Sequence, residues 1–94
     1  MPLDAIADFC HRWQVAELAL FGSVLRDDFS SGSDVDVLVT FVPEARVSLF
    51  DFVEMQEELK RILKRKVDLV SKNGLRNPFR RHEILNTRQI VYAA

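Results

Sequence analysis

Two aspartates near the middle of the chain, Asp34 and Asp36, have the residue type and spacing of a site that binds a cation or handles a proton. They alternate with Val35, Val37 and Val39, which predicts a β-strand with the valines in the core. Residues at i and i+2 of a strand point to the same face, so the two carboxylates are expected side by side. Like charges roughly 4 Å apart repel by about 4 kcal/mol at an effective dielectric near 20. Such a pair either raises a pKa or binds a cation.

Gly22 and Ser23, which precede the aspartates, predict a turn that binds phosphate. Glycine lets the backbone approach a ligand closely, and free N–H groups at the start of a following helix bind anions. An apolar strand over 15–21 runs into the glycine, and 23–29 could form two turns of helix. Oxygen ligands with open positions suit Mg²⁺, which is usually completed by waters and substrate phosphates. The turn and the acid pair together predict a nucleotide site.

Structural explanations compete with this functional one at two positions. Asp34 alone could cap the turn before the strand, whereas Asp36 lies inside the strand and has no such role. Arg26, about one helical turn after Ser23, could equally bind a phosphate or pair with the neighbouring acids at 27 and 28.

Asp68 interrupts an apolar strand predicted over 66–71, where an unpaired carboxylate would be costly to bury, so a cation or donor is expected nearby.

The motif Gly22-Ser23, ten intervening residues and Asp34-x-Asp36 resembles the signature of the DNA polymerase β superfamily of nucleotidyltransferases. A chain this short most resembles the minimal nucleotidyltransferases, the small partners of HEPN-domain proteins in prokaryotic toxin–antitoxin pairs. It departs from that pattern at Asp27, where many relatives have glycine. The resemblance implies an α/β (α+β) fold, with a small mixed β-sheet flanked by helices as in polymerase β-like nucleotidyltransferases.

The resemblance also implies an activity. It implies transfer of a nucleoside monophosphate, AMP from ATP, onto a hydroxyl, with a tyrosine of a HEPN toxin as the acceptor, so that the chain acts as an antitoxin. In this family an acid on a later strand joins the Asp-x-Asp pair, and Asp68 is in the matching position. The catalytic and metal-binding residues are then Asp34, Asp36 and Asp68, with two Mg²⁺ ions, and the nucleotide-binding residues are Gly22, Ser23 and Arg26.

Two other functions are compatible with the sequence. One is a binding module that neutralises a partner by occlusion without turnover, although such a module has no need of three converging acids. The other is modification of a small hydroxylated molecule, as in antibiotic nucleotidyltransferases. Larger superfamily members carry a further domain that grips the base or the acceptor, and 94 residues leave no room for one. A partner protein or a second copy of the chain is therefore expected to complete the acceptor site.

Composition limits the remaining classes. The sequence has 48% apolar and 29% charged residues, which is typical of a globular protein, and we expect one domain over 1–94. A net charge of −1 does not indicate general nucleic-acid binding. The single cysteine, Cys10, allows no intramolecular disulfide. The absence of a signal-peptide pattern and of a long apolar stretch predicts a cytoplasmic protein without a membrane segment.

Further helices and strands are predicted around the candidate site. The first two strands are expected to be antiparallel neighbours, because the glycine turn and the acid pair must converge on one nucleotide. The other predicted elements are an amphipathic helix over 3–13, a helix that begins with a capping box at Ser48 and Asp51, a helix that begins at Asn77-Pro78, and a short edge strand over 90–92.

Overall fold

The computed structural model describes residues 2–22, 34–74 and 77–94. The elements in these ranges are α1 (Leu3–Arg12), β1 (Val15–Phe21), β2 (Val35–Phe41), α2 (Leu49–Leu63), β3 (Val67–Ser71), a 3₁₀ turn (Lys72–Gly74), α3 (Pro78–Thr87) and β4 (Gln89–Ala93). They agree with the elements predicted from the sequence to within one residue at the ends that were predicted. The helix predicted over 23–29 lies outside the described residues.

The four strands form one mixed sheet in the order β3-β2-β1-β4. β1 is antiparallel to β2 and to β4, and β3 is parallel to β2. The expected antiparallel pairing of the first two strands is therefore confirmed. A parallel pair needs a crossover connection, and α2 makes it. The C-terminal end of β1 and the N-terminal ends of β2 and β3 consequently lie at the same end of the sheet.

The two faces of the sheet are covered by different helices. One face packs against α1 and α2 in a large core that includes Phe9 and Met55, both fully buried. Val35, Val37 and Val39 belong to this core, as the alternation predicted. The opposite face carries a smaller core formed by Ala19, Phe21, Leu38 and Ile84, the last of which belongs to α3. Because side chains alternate along a strand, Asp36 lies on the face that α3 covers.

Both predicted helix starts are present with their capping side chains. Ser48 Oγ accepts from Asp51 N at 3.0 Å, and Asp51 Oδ2 accepts from Ser48 N at 3.1 Å, which completes the capping box of α2. Asn77 Oδ1 accepts from the first backbone N–H groups of α3, with Pro78 at its first position. In the described part of the chain, no helix is both long and apolar enough to cross a bilayer.

Candidate active site

The register of the parallel strands brings two of the predicted acids together. Asp36 of β2 is the direct partner of Asp68 of β3. Val35 N donates to Lys66 O at 2.9 Å, so the pairing extends to the first residues of both strands. Asp34 immediately precedes β2 and is exposed. The carboxylates of three separate sequence positions are thus collected at one end of the sheet.

The Asp36 carboxyl is partly buried and surrounded by charge. Burial raises the pKa of this carboxyl above its ordinary value, and the negative charges of Asp68 and Asp34 raise that pKa further. The positive charge of Arg80 lowers the pKa of Asp36. Since two of the three causes that raise the pKa are like charges, a cation bound among these acids would relieve a repulsion that the fold imposes.

Gly22 follows the last residue of β1, and Phe21 is the partner of Asp36 in the sheet. The backbone of Gly22 has φ +74°, in the left-handed region that favours glycine. A Cβ atom here would overlap Asp36 Oδ2 and lie 3.3 Å from Asp36 Cγ. Glycine is therefore needed both for the turn and for the close approach of the backbone to a carboxylate. Ser23 and Arg26, the other predicted nucleotide-binding residues, lie outside the described residues.

An open cleft of about 380 Å³ adjoins these groups. Phe21, Gly22 and Asp36 form its sheet side, and the polar side chains on its α3 side are Arg80, Glu83 and Thr87. These three positions lie at i, i+3 and i+7 of α3, so they share one face of that helix. None of the three was predicted as a site residue from the sequence. Their helical spacing was visible, but nothing local indicated which face of the sheet α3 would cover.

A larger cavity of about 460 Å³ lies at the other end of the sheet, beside Phe41 and Ser71. Its lining is mostly apolar and contains no ionisable side chain among the described residues. Acid–base or phosphate chemistry needs charged or strongly polar groups, so the smaller cleft beside Asp36 is the candidate active site.

The carboxylate oxygens of the acids at this site are the type of ligand that Mg²⁺ prefers. Within 2–22, 34–74 and 77–94, no three His, Cys, Asp or Glu side chains are close enough to hold a metal by themselves. Mg²⁺ seldom requires such a cage, because one or two carboxylates usually bind it together with waters and substrate phosphates. The registered pair Asp36 and Asp68, with Asp34 nearby, supplies such oxygen ligands, and their mutual repulsion favours a bound cation.

Comparison with known proteins assigns the chain to a family. The sequence profile of the family described as "Nucleotidyltransferase domain" matches residues 4–91. The chain belongs to this nucleotidyltransferase family. Over 81 residues this nucleotidyltransferase is 38% identical to the protein adenylyltransferase MntA of Thermococcus cleftensis. The aligned region covers 86% of this chain and 77% of that protein.

Solved structures place this nucleotidyltransferase in the same fold. A structure provisionally named as a minimal nucleotidyltransferase is 31% identical to this chain and has a TM-score of 0.74. The aligned region covers 92% of this chain and 85% of that one. The crystal structure of a toxin–antitoxin pair with AMP-PNP has a TM-score of 0.78 at 17% identity, covering 100% of this chain and 75% of that one. The predicted family, the polymerase β-like fold and the enzyme class are therefore confirmed.

Proposed function

We propose that this nucleotidyltransferase transfers AMP from ATP to a hydroxyl of a partner protein and thereby acts as an antitoxin. The observation that carries the proposal is the direct pairing of Asp36 with Asp68 beside Gly22, at the edge of a cleft. The relative named as a protein adenylyltransferase supports AMP as the transferred group. The fold neighbour in a toxin–antitoxin pair with AMP-PNP supports both a toxin partner and an adenine nucleotide.

The reaction is an in-line displacement. The acceptor oxygen attacks the α-phosphorus, a new P–O bond forms, and the bond to the bridging oxygen breaks so that pyrophosphate leaves. Magnesium, when bound, would neutralise charge on the triphosphate and on the leaving pyrophosphate. We assign its binding to Asp34, Asp36 and Asp68. Asp68 is exposed and stands at the strand edge, so it would also accept the proton of the acceptor hydroxyl.

Gly22 and Ser23 are assigned to the β- and γ-phosphates in this proposal. The chain turns at Gly22 with its backbone close to Asp36, so a phosphate bound at this turn would lie next to the acid pair. Arg26 remains a second candidate for phosphate binding.

The acceptor is proposed to be a tyrosine of a HEPN-domain toxin in the cytoplasm. Residues 1–94 would act as a single domain whose acceptor site is completed by that toxin, or by a second copy of the chain. The net charge of −1 argues against a nucleic-acid acceptor.

Intact-mass spectrometry tests this proposal. The proposed HEPN-domain partner is incubated with the chain, ATP and Mg²⁺. We expect a mass gain of one or more AMP units on the HEPN protein. Asp36→Asn should abolish the gain, whereas Asp4→Asn, at the exposed start of α1, should leave it unchanged.

Two results would contradict the proposal. If the HEPN protein forms a stable complex with the chain and is neutralised without any mass gain, and if Asp36→Asn neutralises it equally well, the chain is an occluding binding module. If a small hydroxylated molecule gains AMP while the HEPN protein does not, the acceptor class is wrong.

A further inference from the structure

Arg80 stands on the α3 side of the candidate cleft, across from the acid pair on the sheet. It lines the cleft together with Gly22 and Asp36, and its charge acts on the Asp36 carboxyl. Two arginines of the described chain are held in ion pairs. Arg12 contacts Glu58 at 2.6 Å, and Arg88 contacts Glu17 at 3.0 Å. Among the described residues, by contrast, no hydrogen bond or ion pair holds the Arg80 side chain.

The position of Arg80 is set by its helix. The backbone N–H of Arg80 donates to Asn77 Oδ1 at 3.2 Å, and the N–H of Phe79 donates to the same oxygen at 3.0 Å. Asn77 thereby satisfies amides that could otherwise bind an anion at the start of α3. On the α3 side of the cleft, the group available to bind an anion is therefore the Arg80 side chain and not the helix N-terminus.

Two roles are open to an arginine placed in this way. It could serve as the counterion of the acids, but no described carboxylate lies within 4.0 Å of it. Alternatively it could bind a ligand that is itself anionic. The guanidinium group matches a phosphate with two parallel hydrogen bonds, and the cleft has the volume typical of a small-molecule site. The second role explains why the side chain faces the cleft without a partner.

We propose that Arg80 binds the polyphosphate of the nucleoside triphosphate from the α3 side of the cleft. This inference rests on the proposed function, because it names a further residue for the same substrate. Arg80 would hold non-bridging phosphate oxygens while the acids and their cation act from the sheet side, and it would retain the pyrophosphate as it forms. Glu83, one helical turn further along α3, also lines the cleft but is negatively charged. Its replacement therefore tests whether phosphate binding here depends on the positive charge of Arg80.

Equilibrium binding of two probes, inorganic tripolyphosphate and AMP-PNP, both with Mg²⁺, tests the inference by titration calorimetry. Loss of a charge-assisted hydrogen bond is expected to weaken binding of both probes by about tenfold or more in Arg80→Gln. Arg80→Lys should recover part of this loss. Arg81→Gln removes the same charge from the next residue of α3, outside the cleft lining, and should change the affinity by less than about twofold. Glu83→Gln should not weaken binding.

Binding of Mn²⁺ without nucleotide, followed by electron paramagnetic resonance, separates phosphate binding from damage to the acids. Removing a positive charge near the acids should leave Mn²⁺ affinity unchanged or increase it, so a loss in Arg80→Gln would overturn the inference. Equal probe affinities in Arg80→Gln and Arg81→Gln, with normal binding by the wild type, would overturn the inference and leave the proposed function standing. If the wild type binds neither probe, the proposed function fails, and the inference fails with it.

Discussion

Gly22 is constrained by its own backbone and by a neighbouring side chain. Its φ of +74° disfavours any residue with a Cβ atom, and the added Cβ would overlap Asp36 Oδ2. From the sequence, a glycine was expected here because it lets the backbone approach a phosphate closely. The structure adds that the backbone also approaches the carboxylate that is proposed to hold the cation.

Gly22→Ala should therefore impair stability and activity together. We expect the free energy of unfolding to fall by about 1–2 kcal/mol from backbone strain alone, and more if Asp36 cannot move aside. Urea unfolding measures this change. Gly74→Ala is the matched control, because among the described residues a Cβ there would meet only Ser71 Cβ, at an ordinary 3.9 Å. Equal losses in the two variants would show that the approach to Asp36 has no energetic importance.

Asp36 is expected to lower stability in the absence of a cation. Its pKa is raised in the folded state, so the ionised form is less favourable in the fold than in the unfolded chain. At pH 7 in EDTA, Asp36→Asn should raise the melting temperature by a few degrees, although we propose that the same change abolishes nucleotide transfer. The gain should shrink as the pH falls through the folded pKa, and vanish once the carboxyl is protonated in both states.

Differential scanning calorimetry of this variant against Asp4→Asn, at pH 7 and at acidic pH, checks the sign of the effect. Asp4 lies in the first turn of α1, where a negative charge favours the helix, so Asp4→Asn should give no increase. A lower melting temperature for Asp36→Asn at pH 7 would contradict the repulsion that we infer at the acid pair.

At the scale of elements, the parallel pairing of β3 with β2 is what brings Asp68 to Asp36. β3 is an edge strand, and α2, which crosses over to it, also supports it. Gln56 Oε1 of α2 accepts from Leu69 N at 3.2 Å. Because Leu69 follows Asp68 directly, this hydrogen bond restrains the backbone beside the third acid.

Removing that acceptor should loosen β3 locally. In Gln56→Ala we expect amide hydrogen exchange of Leu69 to accelerate by about fivefold, since a hydrogen bond contributes roughly 1 kcal/mol. Gln56→Glu keeps a side-chain oxygen and should retain most of the protection. NMR-detected exchange measures both variants. Unchanged exchange at Leu69 in Gln56→Ala would mean that sheet pairing alone holds this strand.

The helices and strands could be predicted because their signals are local. The alternating valines of β2, the Ser48 to Asp51 capping box and the Asn77-Pro78 start each depend on residues a few positions apart. The pairing of Asp36 with Asp68 is different, because a parallel register depends on how a whole crossover packs. The interrupted apolar pattern singled out Asp68, but only the family resemblance placed it with the Asp34 and Asp36 pair. Arg80 was missed for a similar reason, since Ile84 must pack on the far face of the sheet before α3 forms one wall of the cleft.

At the scale of the whole molecule, the two cores are unequal. α1 and α2 bury a large core on one face, whereas α3 contributes Ile84 as its only buried side chain among the described residues. The candidate cleft lies on the lightly packed face. A ligand that contacts both the sheet and α3 would therefore add contacts between α3 and the sheet, where the core is small.

Nucleotide binding should consequently stabilise the folded chain. A ligand at about 100 times its dissociation constant adds roughly 2.7 kcal/mol to the free energy of unfolding. ATP with Mg²⁺ should raise the melting temperature of the wild type by several degrees, and EDTA should reverse most of this increase. Asp68→Asn should respond weakly. A wild-type increase that EDTA leaves intact would contradict the proposed role of a divalent cation.

The most direct test of the account is to locate the bound nucleotide and cation by paramagnetic broadening in the ¹⁵N-labelled chain. Mn²⁺ with ATP should broaden the amide signals of Gly22, Asp36 and Asp68 more strongly than those of Phe41 and Val42, at the larger cavity. Strong broadening at the larger cavity, with the amides near Asp36 unaffected, would contradict the assignment of the active site.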